Sequence, residues 1–207
     1  MGHGIAYVAM AAGYRVQLFD VSHGVLEQAE SSIRAILDKA VHRGDVTAAV
    51  REDMLQRLSV STSIADAVQH ADLVIEAVPE RIEVKLSTFE AVQNHAPRAA
   101  VLATNTSALS ITEVASVLED PSRLAGMHFF NPVHRMKLVE IVRALETSDV
   151  TIATIEEVAV RMGKETVLVR ESPGFITSRL NALIGNEAFY MLQEGVGTAR
   201  DIDKAAK

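Results

Sequence analysis

A histidine and a glutamate twelve residues apart, His128 and Glu140, form the pair in this 207-residue chain best suited to moving a proton. Imidazole titrates near neutral pH. A carboxylate bonded to one ring nitrogen fixes the tautomer and stabilises the imidazolium that forms when the other nitrogen takes a proton. His128 stands in the run Met127-His128-Phe129-Phe130-Asn131-Pro132, near the end of the apolar segment Leu124 to Phe129, and Asn131-Pro132 turns the chain directly afterwards. A lone histidine among apolar neighbours is most often a satisfied core residue. Here the turn and Glu140 favour a base at the C-terminal end of a strand, the edge at which open α/β sheets bind ligands. Upstream, Asn105-Thr106-Ser107 follows another apolar segment, Ala100 to Ala103. Ser110-Ile111-Thr112-Glu113 already has the spacing of a capping box for the next helix. That leaves Ser107 and Asn105 free to bond a ligand.

The opening Met1-Gly2-His3-Gly4-Ile5-Ala6, running into apolar residues up to Gly13, has the look of a glycine-rich turn entering a helix. The amides and dipole of such a helix would face a pyrophosphate. A pair of glycines beside a start methionine is a weak signal alone. Asp20 strengthens it, since it closes the apolar segment Val16 to Phe19 near the spacing at which an acidic residue meets the adenosine ribose. A carboxylate there accepts from the ribose hydroxyls and repels a 2′-phosphate, so it selects NAD over NADP. The competing reading of Asp20 is a turn or helix cap.

Short apolar runs alternating with helical stripes point to an α/β protein with a parallel sheet covered on both faces. The expected strands are Val16 to Phe19, Leu73 to Val78, Ala100 to Ala103, Leu124 to Phe129 and Thr166 to Val169. Leu26, Ala29, Ile33, Ile36, Leu37 and Ala40 predict a long helix, and others are expected over Ala48 to Arg57, Glu83 to His95 and Ile152 to Met162. Ser172-Pro173-Gly174-Phe175 breaks the pattern, which places a boundary between a unit of residues 1–171 and a helical unit of residues 172–207. The latter begins with the stripe Ile176, Leu180, Leu183, Ile184, Ala188 and Met191, and Thr198 and Asp201 then have capping spacing for one more helix. Two helices cannot close a core, so their apolar face is expected to be buried on the first unit, a second subunit or further chain.

The composition, 48% hydrophobic and 23% charged, is that of a globular domain, and the net charge of -7 disfavours nucleic acid or an anionic membrane as partner. Without cysteine there is no disulfide, thiolate nucleophile or Cys-based metal site, and no metal is expected; the absence fits a reducing compartment, so a cytoplasmic location is expected. No apolar run approaches the roughly 20 residues needed to span a bilayer.

Taken together, Asn105-Thr106-Ser107, the His128 run and Met136-Lys137-Leu138-Val139-Glu140 resemble the active site of the L-3-hydroxyacyl-CoA dehydrogenases, and the likeness runs from Met1 to Lys207. The resemblance implies a Rossmann-type doubly wound, mainly parallel sheet followed by the start of an all-α dimerisation domain, and hence a homodimer. It implies NAD as cofactor and an acyl-CoA as substrate, with (S)-3-hydroxyacyl-CoA oxidised reversibly to 3-oxoacyl-CoA. His128 would then take the hydroxyl proton, Glu140 orient it and Ser107 hold the substrate hydroxyl. Gly2, Gly4, Asp20, Ala77, Glu80, Lys85, Asn105 and Asn131 would face the cofactor, with Glu80 and Lys85 near the nicotinamide ribose. Lys39, His42 and Arg43 crowd the end of the long helix, and the family pattern singles out Arg43 for coenzyme A. Where the family has a catalytic asparagine after the Pro-Gly-Phe run, this sequence has Ser178, which can donate a hydrogen bond but reaches less far. The family's glycine-rich pattern, Gly-x-Gly-x-Met-Gly-x-Gly-Ile-Ala, is met here only from its Met-Gly onward. A preceding central strand is therefore expected in a longer protein, and without it both neighbouring strands would have unpaired backbone groups. Two other activities fit the residues alone: a dehydrogenase of a free hydroxy acid or sugar acid, and a non-catalytic NADH sensor.

Overall fold

The computed structural model describes residues 1–206. Its elements alternate as the apolar pattern requires. Helix α1 (Gly2–Ala11) leads to strand β1 (Val16–Phe19), then α2 (His23–Arg43), α3 (Ala48–Leu55), β2 (Leu58–Ser61) and α4 (Ile64–Val68). The chain continues through β3 (Leu73–Glu76), α5 (Ile82–Gln93), β4 (Val101–Thr104), α6 (Ile111–Ala115), β5 (Leu124–Phe129) and β6 (Leu138–Arg143). It closes with α7 (Asp149–Arg161), β7 (Glu165–Arg170), α8 (Thr177–Gln193) and α9 (Ala199–Ala205).

Local chemistry explains the helix limits. Thr47, Ser63, Ser110, Ser148 and Thr198 each accept a first-turn amide hydrogen with the side-chain oxygen, and Gly44 ends α2 in the left-handed conformation. The capping spacings at Ser110 and Thr198 therefore do what the sequence implied.

Strands β3-β4-β5-β6-β7 make one sheet, in which β5 and β6 are antiparallel and the other neighbours parallel. Strands β1 and β2 pair in a separate parallel sheet. Five strands were expected; β2 and β6 are additional. Each of β1 and β3 has one edge without a strand partner among the described residues. The large sheet is covered on both faces. Leu102, Leu124 and Val142 pack with Phe89 and Val92 of α5 and with Ile111 and Val114 of α6. The alternate residues Ala103, Ala125, Met127, Phe129, Val139 and Ile141 pack with Ile5 and Val8 of α1 and Ile152 and Ile155 of α7. Burial of a large aliphatic or aromatic side chain contributes about 1.5–3 kcal/mol, so these two layers dominate the stability of the unit that holds the sheet edge. The fold is a mixed α/β, Rossmann-like one. Among the described residues no helix is long and apolar enough to cross a membrane.

Candidate functional site

The antiparallel pairing of β5 with β6 places His128 directly opposite Glu140. Facing positions in such a ladder share a side of the sheet with Cβ atoms about 4.5–5.5 Å apart, within easy reach for an imidazole and a carboxylate. Nδ1 of His128 lies 2.8 Å from Oε2 of Glu140. An ionised carboxylate only accepts, so Nδ1 carries the hydrogen and Nε2 is the ring's free basic atom. The His128 side chain is 8% exposed and Glu140 is sealed. Nε2 makes no protein hydrogen bond and is not among the sealed, unpaired polar atoms of the described residues, so the imidazole is reachable from outside. Phe130 and Phe175 flank it at ring-centroid distances of 4.5 and 5.8 Å.

Glu140 is held from a third element. Its Oε1 accepts from the amides of Ile176 (3.1 Å) and Thr177 (2.9 Å), and its Oε2 from the Thr177 hydroxyl (2.9 Å) as well as from His128. Burial alone would raise its carboxyl pKa, but the bonds from His128, Thr177 and Ile176 outweigh it and hold the group below its ordinary value. The backbone that delivers these donors is unusual. Gly174 (φ 73) and Phe175 (φ 51) both have left-handed conformations, and a Cβ on Gly174 would lie 3.1 Å from the Arg179 amide nitrogen.

A second network lies at the ends of β3 and β4. Lys85 of α5 is 1% exposed and bonds both oxygens of Glu76, at 2.9 and 3.0 Å, and approaches Glu80 at 3.3 Å. Glu76 also accepts from the Val78 amide and the Thr104 hydroxyl. Glu80 in turn accepts from the Thr106 hydroxyl and the amides of Ser107 and Ala108. Burial opposes its ionisation, yet these donors and Lys85 lower its pKa. The Lys85 ammonium holds Glu80, and Glu80 shapes the Ser107 turn. Ser107 is exposed, and among the described residues its hydroxyl makes no hydrogen bond. The Oδ1 of Asn105 accepts from the Phe129 amide at 2.9 Å, which ties β4 to the strand of His128 and leaves the NH₂ group for a ligand.

The other expected residues are placed as follows. Ala77, half-buried, follows β3 at the same sheet edge as Asn105, and Asn131 is exposed in the turn after β5. Lys164 donates to the carbonyls of Val133 and Met136 and so pins that turn from α7's far end. Gly4 is required for close approach, because a Cβ there would lie 3.0 Å from the side chain of Val133. The first-turn amides of Gly2 and His3 have no partner among the described residues, and Asp20 uses one oxygen on the Ser22 amide (2.9 Å), leaving the other. Unspent amides at a helix start, with a carboxylate at the end of β1, fit a dinucleotide. Ser178 is half-buried in the first turn of α8 beside Thr177. Arg43 is exposed, bonded to Asp45 at 2.8 Å, and makes no described contact with the His128 pair. Sequence reasoning missed Glu76, Thr177 and Lys164; Glu76 alone left a signal, as a carboxylate inside an otherwise apolar strand.

Comparison with known proteins gives a consistent result. The family model for the 3-hydroxyacyl-CoA dehydrogenase NAD binding domain matches residues 1–172, and that for the 3-hydroxyacyl-CoA dehydrogenase C-terminal domain matches residues 174–207. Over its whole length the chain is 39% identical to a probable 3-hydroxybutyryl-CoA dehydrogenase of Bacillus subtilis, covering 72% of that protein. It is likewise 42% identical to a 3-hydroxyadipyl-CoA dehydrogenase of Escherichia coli, of which it spans 43%. The crystal structure of (S)-3-hydroxybutyryl-CoA dehydrogenase from Ralstonia eutropha superposes with a TM-score of 0.94 at 35% identity, covering 97% of this chain and 71% of that one.

Proposed function

As the chain belongs to the 3-hydroxyacyl-CoA dehydrogenase family, we propose that it interconverts (S)-3-hydroxyacyl-CoA and 3-oxoacyl-CoA with NAD, using His128 as the acid and base. The observation that carries this reading is the 2.8 Å bond between Nδ1 of His128 and Glu140, which leaves Nε2 basic and reachable. When bound, NAD supplies the hydride acceptor. In the direction of oxidation the substrate hydroxyl gives its proton to Nε2 and its carbon-bound hydrogen leaves as hydride, so the secondary alcohol becomes a ketone. Glu140 stabilises the imidazolium so formed, and the reverse reaction returns the same proton to the oxygen. Ser107 holds the hydroxyl, and Ser178 assists from the first turn of α8. Asp20 takes the adenosine ribose, Gly2 and Gly4 admit the pyrophosphate, and Ala77, Glu80, Lys85, Asn105 and Asn131 lie along the cofactor. Arg43 meets the phosphates of coenzyme A, a role supported by its exposure at the C-terminal end of α2.

The sheet unit gives way to the helical unit near Ser172, a division supported by the break at Pro173 and Gly174. A homodimer through the helical unit is supported by the apolar, uncovered α8, and a cytoplasmic location by the absence of cysteine. The decisive experiment mixes the protein with NADH and acetoacetyl-CoA and follows loss of reduced-nicotinamide absorbance. Turnover is expected, and His128→Gln lowers it by about 10²-fold or more while NADH affinity stays nearly intact. Unchanged turnover in His128→Gln would refute the assignment of the base.

A further inference from the structure

Helix α8 is 17 residues long and starts without a side-chain cap of its own, since Ile176 occupies the cap position with a helical backbone. The first amides of a helix need acceptors. They find one in Glu140, thirty-six residues earlier in the chain, on the strand opposite His128. We propose that Thr177 is a positioning residue for proton transfer: its hydroxyl and amide, with the Ile176 amide, clamp the Glu140 carboxylate in the orientation from which it steers His128. The proposal rests on the reading of His128 as the base and adds to it a residue from the helical unit.

The geometry is saturated. A carboxylate offers about four lone-pair sites, and the Glu140 oxygens receive four donors, two on each. With every site filled the carboxylate can neither rotate nor recruit water, so the imidazole plane is fixed by strand pairing and by the start of α8 together. Oε2 is the oxygen shared by the imidazole and the Thr177 hydroxyl, so those two donors compete for its electron density. Loss of the hydroxyl leaves Oε1 anchored by both amides and makes Oε2 a stronger acceptor for the imidazolium. Among the described residues the only ionisable side chain bonded to Glu140 is His128 itself. The same helical turn presents Ser178, so whatever seats α8 also sets the orienting acid and the position beside it.

A merely structural cap and a positioning residue part company in the variant Thr177→Val, which keeps size and β-branching and removes only the hydroxyl. The Nδ1–H proton resonance of His128, assigned by its loss in His128→Gln, reports the bond to Glu140 and needs no turnover. It is expected to move away from its wild-type position in Thr177→Val and to return in Thr177→Ser. In steady-state assays kcat is expected to fall about 10-fold with KM for NADH within about twofold, and Thr177→Ser restores it. An Nδ1–H resonance in Thr177→Val indistinguishable from wild type, or one that serine does not restore, overturns the proposal. If wild type binds NADH without turnover the assigned reaction fails, while the Nδ1–H resonance still decides the role of Thr177. Should Thr177→Val not fold, Thr177→Ala gives the same comparison.

Discussion

Glu140 carries more of the site than its position in a strand suggests, because it is both the partner of His128 and the acceptor for the start of a helix. Its carboxyl is depressed below the ordinary value near 4.5. For an acid with a lowered folded pKa, the stabilisation is complete above the unfolded value and disappears as pH falls through the folded one. Glu140→Gln, which cannot titrate, should therefore show a weaker loss of stability below about pH 4.5 than wild type, measured as urea midpoints across that range. At neutral pH the same substitution is expected to cost about 2 kcal/mol and to slow turnover, since the amide nitrogen presents hydrogens to donors. At this scale the sequence was partly legible. His128 and Glu140 are recognisable by type and spacing, but Thr177 is not, since its part depends on a turn through Gly174 and Phe175 that brings it beside a residue far away in sequence.

The elements meet at two polar groups, and the one formed by buried Glu76 and Lys85 with the more exposed Glu80 joins β3, α5 and the loop that bears Ser107. Breaking a buried pair by removing one member is costly, because the remaining charge keeps its desolvation penalty. Lys85→Met should destabilise the protein by about 3–5 kcal/mol in chemical denaturation, and adding Glu76→Gln should recover part of that. A loosened Ser107 turn would accompany it as faster amide exchange at Ser107 and Ala108. Lys85 reads as a solvated helix charge in the sequence because its partner Glu76 lies on a strand, nine residues back and invisible to helical spacing. Strand β6 was hidden for a related reason. Leu138 to Arg143 is apolar at four of its six positions, but a fully buried glutamate near its centre has the signature of a surface position. In β2 the serines at 59 and 61 interrupt the apolar run that marks the other strands. Long helices such as α2 were legible because an apolar stripe of several turns has few alternative explanations.

For the molecule as a whole, α8 is the feature that asks for a neighbour. None of its residues is buried, and Leu183, Ile184 and Phe189 are 61%, 62% and 75% exposed. Placing charges on this face, as in Leu183→Asp with Phe189→Asp, should abolish self-association in sedimentation velocity while leaving NADH binding within about twofold, because the sheet unit does not depend on these side chains. The apolar stripe predicting this helix was plain in the sequence, whereas the split of the strands into two sheets became visible only in three dimensions. The pairing of β5 with β6 has a wider consequence. His128 and Glu140 are registered by backbone ladder bonds, so the connecting stretch from Phe130 to Lys137 is not what sets their separation. Held by Lys164 at two carbonyls, that stretch is at liberty to change its exposed side chains, and a descendant could acquire a different appetite for substrates while the His128–Glu140 pair stayed as it was.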